Sequence, residues 1–163
     1  MNNVKFISYQ IKNPDNLNLI FGQSHFIKTV TDIHETLVTS VSNIKFGLAF
    51  SEASGDRLVR TSGTDKKLEK LAAKNVLNIS CGHCFLIFLK DSFPINVLNN
   101  LKQVSEVCTI YAATANPVQL ILAQTNQGRG VASVIDGNSP KAIESESHKK
   151  QTKTFLRKIG YKL

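Results

Sequence analysis

The sequence predicts one α/β domain of mixed α+β type, a mixed sheet of about seven or eight strands packed with about four helices. Three observations predict it. Segments of period 3.6 are interspersed with strand-like runs, several strands follow one another directly, and one run, "HCFLIFLK", is apolar throughout. Direct strand-to-strand succession excludes a regular βαβ repeat. With 163 residues the chain is long enough for one sizeable core and short for two, so residues 1–163 are read as a single domain.

The elements follow in order. "VKFISYQIK" alternates through Val4 and Phe6 as a strand, "NPD" turns, and "LNLIFGQS" reads as a second strand ending at Gly22. From Thr29, read as an N-cap with Asp32 three residues on, Ile33, Leu37, Val38 and Val41 share one helical face. "IKFGLAFSEA" is a strand, "SGDR" a turn and "RLVRTS" another strand. Thr64 is read as the cap of a helix whose stripe is Leu68, Leu71, Ala72, Val76 and Ile79, with Asp65 in its first turn. "HCFLIFLK" follows as a strand buried on both faces, and Pro94 opens a short helix where its missing N–H costs nothing. "EVCTIYAATA" and "VQLILAQT" are strands split by "NP", and "NQGRG" turns into "VASVID". A last helix, Ser145 to Ile159, is expected to pack through Phe155, Leu156 and Ile159.

The totals bound the function. Hydrophobic content of 42% and charged content of 20% suit a globular protein. No apolar run is long enough to span a membrane, and the N-terminal residues lack a secretory h-region, so the expected compartment is the cytoplasm. Net charge is +8, concentrated in the basic tail "HKKQTKTFLRKIGYKL". Without basic stretches interleaved with aromatics, this charge argues for a phosphorylated ligand or a solvated face before nucleic acid. No G-x-x-x-x-G-K-[ST] or G-x-G-x-x-G motif opens a helix, so a nucleotide would not be held by a standard phosphate loop.

Cys81 and Cys84 form a C-x-x-C within "SCGHCF". Cys84 opens a strand, not the helix whose dipole activates a redox cysteine, and Cys108 alone does not complete a zinc site, so these read as small buried thiols. No metal ligands are assigned. His25 in "GQSHFIKT" precedes a helix start, a place for phosphate, with Lys28 and Thr29 adding a charge and a hydroxyl. His25 reads equally as a histidine that bonds the loop backbone, whereas His83 follows a glycine at the mouth of the buried strand, where a core histidine is the stronger reading in isolation. His34 and His148 read as solvated helix positions. Glu52, Arg60, Thr114, Asn116, Arg129 and Asp136 are polar groups in or near loops, candidates for a ribose or a phosphate.

"GQSHFIKTV", "LVTSV", "IKFGLAFSEASGDRLVR", "GHCFLIFLKDSFPINVLN", "EVCTIYAATANPVQ", "QGRGV", "IDGNSP" and "LRKIGYKL" together resemble the adenosine-specific kinase family over nearly the whole chain, in order and with similar spacing. Around the glycine–histidine pair that family commonly shows G-x-G-H-S-F, where this chain has "SCGHCF". The resemblance implies a compact α/β domain that forms a homo-oligomer, a trimer or a multiple of it, and binds adenosine or AMP. It also implies a histidine that carries a phosphoryl group. His25 and His83 both lie in matching blocks; His25 is preferred for its helix start, Lys28 and Thr29. Magnesium with a phosphoryl donor is the general expectation for such a transfer. The alternative is a non-catalytic module that senses adenosine or AMP.

Overall fold

The computed structural model describes residues 3–163; Met1 and Asn2 of the expected 1–163 domain lie outside the described residues. The chain runs β1 (Lys5–Gln10), β2 (Asn18–Ser24), α1 (Thr29–Ser40), β3 (Lys45–Ser51), β4 (Val59–Gly63), α2 (Lys66–Ile79), β5 (Cys84–Lys90), α3 (Pro94–Leu101), β6 (Val107–Thr114), β7 (Val118–Gln124), β8 (Arg129–Asp136) and α4 (Glu146–Lys158). The expected mixed α+β domain is present, with eight strands and four helices among the described residues. Its strands are divided between two sheets where one was expected, ordered β4-β3-β5-β2-β6 and β1-β7-β8. All named ladders are antiparallel. One isolated parallel bridge, Cys81 to Arg129, links the second sheet to the segment just before β5.

The apolar run of β5 explains its central position. Phe85, Ile87 and Leu89 face a core shared with Ile33 and Leu37 of α1 and Val97 and Leu101 of α3. Leu86 and Phe88 alternate to the other face, against Leu68, Ala72, Val76 and Ile79 of α2 and Leu120 and Leu122 of β7. The five-stranded sheet therefore lies between α1 and α3 on one side and α2 with the small sheet on the other.

Two expected caps are displaced. Asp65, not Thr64, caps α2, its Oδ1 accepting from Lys67 N at 2.8 Å and Leu68 N at 3.2 Å. The Thr64 hydroxyl instead donates to Ile44 O at 2.6 Å and accepts from Phe46 N at 3.1 Å, tying the β4 end to β3. Thr29 is the first residue of α1, and the cap position is Lys28, whose side chain caps nothing. β2 runs two residues past the expected stop at Gly22, to Ser24.

α4 follows its period but not its expected packing. None of its residues is buried; Phe155 is 58% exposed and Ile159, at its end, 39%. The segment beyond it is anchored by Tyr161, whose ring meets Phe93 edge-on at 6.4 Å and whose hydroxyl accepts from Asn96 Nδ2 at 3.2 Å.

Candidate functional site

One end of the five-stranded sheet gathers the end of β2, the end of β3 and the starts of β4, β5 and β6. His25 and His83 both lie there. His83 occupies a tight turn between α2 and β5, at φ +60. Its N–H donates to Ser51 O at 2.7 Å, and its carbonyl accepts from Ser24 N at 2.9 Å. These bonds fix the turn between two strand ends, and the half-buried ring stacks on Phe50 at 5.7 Å between centroids. His25 follows Ser24 directly, is exposed, and stacks on Phe26.

The groups expected to assist His25 are engaged elsewhere. The Thr29 side chain is fully buried, its hydroxyl donating to Phe26 O and sharing a hydrogen bond with the Ser24 hydroxyl. Lys28 pairs with Asp32 at 2.9 Å, a contact that raises the ammonium's affinity for its proton. Glu106 accepts from His25 N through its backbone carbonyl at 3.1 Å, while its buried side chain leaves Oε2 without a hydrogen-bond partner.

Beside the His83 turn opens a cleft of about 710 Å³, walled by the β3–β4 loop, the α2–β5 turn and the β7–β8 hairpin. Its polar lining comprises Ser51, Glu52, Arg57, Ser80, Thr125, Gln127 and Arg129. Glu52 Oε2 accepts from Arg60 Nε at 3.1 Å and from Arg60 Nη2 at 2.7 Å, so this nearly buried carboxylate is neutralised within the wall. Arg129 is held by Nε donating to Gln124 Oε1 at 2.9 Å and Nη1 donating to Asn78 O at 3.1 Å. With Glu52 paired, the guanidinium groups of Arg57 and Arg129 make the cleft a place for an anion.

Arg57, Ser80 and His83 all have φ between +52° and +60°. A left-handed conformation costs a non-glycine residue roughly 1–2 kcal/mol, and such strain clusters at binding sites. Arg57 and Ser80 were not foreseen as site residues, because left-handed backbone leaves no periodic trace in sequence. Their one signal was position beside Gly55 and Gly82.

Thr114, Asn116 and Asp136 are not brought together with the histidines. They lie at the far end of β6 and β8, about 23 Å along the strand from Val107 at about 3.3 Å per residue. There the Thr114 hydroxyl accepts from Asn116 N at 3.0 Å and Asn116 Nδ2 donates to Asp136 Oδ1 at 3.0 Å, bracing the corner before β7. Two other histidines also have structural partners. His34 Nδ1 lies 2.7 Å from Ser62 Oγ with its ring edge-on to Phe46, so it is half-buried where a solvated position was expected. His148 closes a capping box with Ser145 on α4.

Cys81 and Cys84 are buried and free, Cys108 exposed and free. The Cys84 thiol and the Arg129 charge hold the Cys81 thiol below its ordinary range, whereas Cys81 and burial push Cys84 strongly up. No group of three or more His, Cys, Asp or Glu among the described residues is placed to hold a metal ion. No helix among them is long and apolar enough to cross a membrane.

Comparison with known proteins agrees with this architecture. None of the curated proteins matches the chain. The crystal structure of the PH1918 protein from Pyrococcus horikoshii OT3 superposes with a TM-score of 0.94 at 42% identity, over 99% of each chain. A family model described as adenosine specific kinase matches residues 9–162. The chain therefore belongs to the adenosine-specific kinase family.

Proposed function

We propose that this chain transfers a phosphoryl group to adenosine through a histidine, holding adenosine or AMP in the arginine-lined cleft. The observation that carries the reading is His83, fixed at φ +60 by hydrogen bonds to two strand ends and one residue from Gly82 in the cleft wall. His83 is taken as the carrier and His25 as its neighbour. Partial burial against Phe50 shields a phosphorylated ring from water, whereas His25 is exposed and Thr29 and Lys28 are engaged elsewhere.

In the transfer, an adenosine hydroxyl attacks the phosphorus in line, the P–N bond breaks, and the hydroxyl proton ends on the released imidazole nitrogen. Arg57 and Arg129 neutralise charge on the phosphoryl oxygens, so catalysis is positioning and electrostatics. Magnesium would arrive with the donor's phosphates, since the one carboxylate of the cleft lining, Glu52, is bonded to Arg60. The uncovered Phe155 and Ile159 support a homo-oligomer in which a second copy covers α4.

The test is intact-mass measurement of wild type, His83→Ala and His25→Ala after incubation with nucleoside triphosphates, with AMP formed from adenosine followed in parallel. An acid-labile phosphoryl adduct lost in His83→Ala and retained in His25→Ala supports the assignment. An adduct lost only in His25→Ala moves the carrier to that residue. No adduct and no AMP with any donor leaves adenosine binding without turnover, and the kinase reading fails.

A further inference from the structure

Cys81 and Cys84 flank Gly82 and His83, the two central residues of the turn between α2 and β5. The positive φ of His83, following a glycine without one, is the pattern of a type II turn. Such a turn brings its outer α-carbons within about 7 Å, and a disulfide spans about 4.4–6.8 Å. Both thiols are buried, at 1% and 2% exposure, and act directly on one another's proton affinity. Ser80 and Gly82 on either side of Cys81, and its bridge partner Arg129, line the cleft, so Cys81 lies directly behind the cleft wall.

The two cysteines are not equivalent. Cys81 lies by the Arg129 guanidinium, which favours a thiolate, and Cys84, buried beside Cys81, keeps its proton. A side chain here supplies the field that a redox C-x-x-C ordinarily takes from a helix N-terminus. We propose that Cys81 and Cys84 are a peroxide-responsive dithiol–disulfide pair beneath the cleft, with Cys81 the attacking sulfur and Cys84 the resolving one. The Cys81 thiolate attacks one oxygen of hydrogen peroxide, the O–O bond breaks, and a sulfenic acid and hydroxide form. Cys84 then attacks the Cys81 sulfur, the S–O bond breaks, and the departing hydroxide leaves as water with the Cys84 proton. Peroxide gains the two electrons that the dithiol loses.

The proposal does not depend on the nucleoside reading, and neither does its test. The full chain is treated with hydrogen peroxide, quenched, denatured, alkylated with N-ethylmaleimide and weighed without reductant. The three free thiols of the untreated chain take three labels. After peroxide the expected count is one, restored to three by dithiothreitol. In Cys108→Ser the count falls from two to none, which separates this pair from any linkage through the exposed thiol. In Cys84→Ser the reaction stops at a Cys81 sulfenic acid, captured by dimedone. Retention of both labels in peroxide-treated Cys108→Ser overturns the proposal, as does dimedone capture at Cys84 in Cys81→Ser with none at Cys81 in Cys84→Ser.

Discussion

Gly47 on β3 is where the first turn of α2 rests on the sheet, and Gly47→Ala measures how tightly. A Cβ there would lie 2.1 Å from the Leu68 carbonyl carbon, 2.2 Å from Glu69 N and 2.5 Å from Leu68 O. Carbon contacts are optimal near 3.5–4.0 Å, so α2 must withdraw by about 1.4 Å, the difference between 3.5 and 2.1. All the obstructing atoms are backbone, so no side chain can swing aside. Gly63, the register partner of Gly47, offers no relief, since its own Cβ would meet Phe46 O at 2.5 Å. The shift opens gaps around the buried Leu68, Ala72, Val76 and Ile79. Overpacking costs roughly 1–3 kcal/mol, and a displaced helix backbone puts this case at about 3 kcal/mol. For a chain of this size that is a fall in Tm of about 6–12 °C, or about 1.5 M in urea midpoint at an m-value near 2 kcal/mol/M. Gly128→Ala is the control, because its Cβ meets nothing within 4 Å and it has no positive φ. A Gly47→Ala protein that melts within about 2 °C of wild type would refute the seat.

Arg60→Ala leaves the Glu52 carboxylate unpaired in the cleft wall and lowers stability by about 1–3 kcal/mol; a double-mutant cycle with Glu52→Gln recovers part of it, and strict additivity would show that the pair is uncoupled. Asn75→Ala removes the amide that accepts from Lys12 N and Tyr9 Oη and donates to Lys12 O, so urea unfolding loses about 2–3 kcal/mol and hydrogen exchange at Lys12 accelerates. Backbone N–H bonds from Leu68 and Lys67 hold the Asp65 carboxyl below its ordinary value of 3.8. Its stabilisation is therefore complete at neutral pH and is lost as pH falls from 3.8 through the depressed value. The difference in urea midpoint between wild type and Asp65→Ala is expected to shrink from pH 7 to pH 2.5, and a constant difference would contradict the cap.

Much of the fold was legible because burial writes itself into period. β5 announced a doubly covered strand, and the α2 stripe of Leu68, Ala72, Val76 and Ile79 is the face that packs. The division into two sheets was not legible, because β1 pairs with β7 across more than a hundred residues and nothing in either strand names its partner. Thr64 and Asp65 are adjacent good caps, and only the demand of Ile44 and Phe46 for the threonine hydroxyl decides between them. In the site, His83 was found because it lies in a block that matches the family, and Glu52 and Arg129 because polar groups near strand ends show no core duty. Thr114, Asn116 and Asp136 fit the same description but sit at the other end, a distinction invisible until the strands have directions in space. Arg57 and Ser80 were missed because their contribution begins with backbone conformation.

α4 has a consequence for digestion. Its lysines 149, 150, 153 and 158 and Arg157 are exposed on a helix with no buried side chain, so local opening there costs little compared with global unfolding. In a lone chain trypsin reaches these bonds without waiting for the core to open, and it pares the basic tail away while the two sheets stay intact. Association that covers Phe155 and Ile159 would close that route, so the lifetime of the tail under protease reports on assembly through backbone accessibility alone.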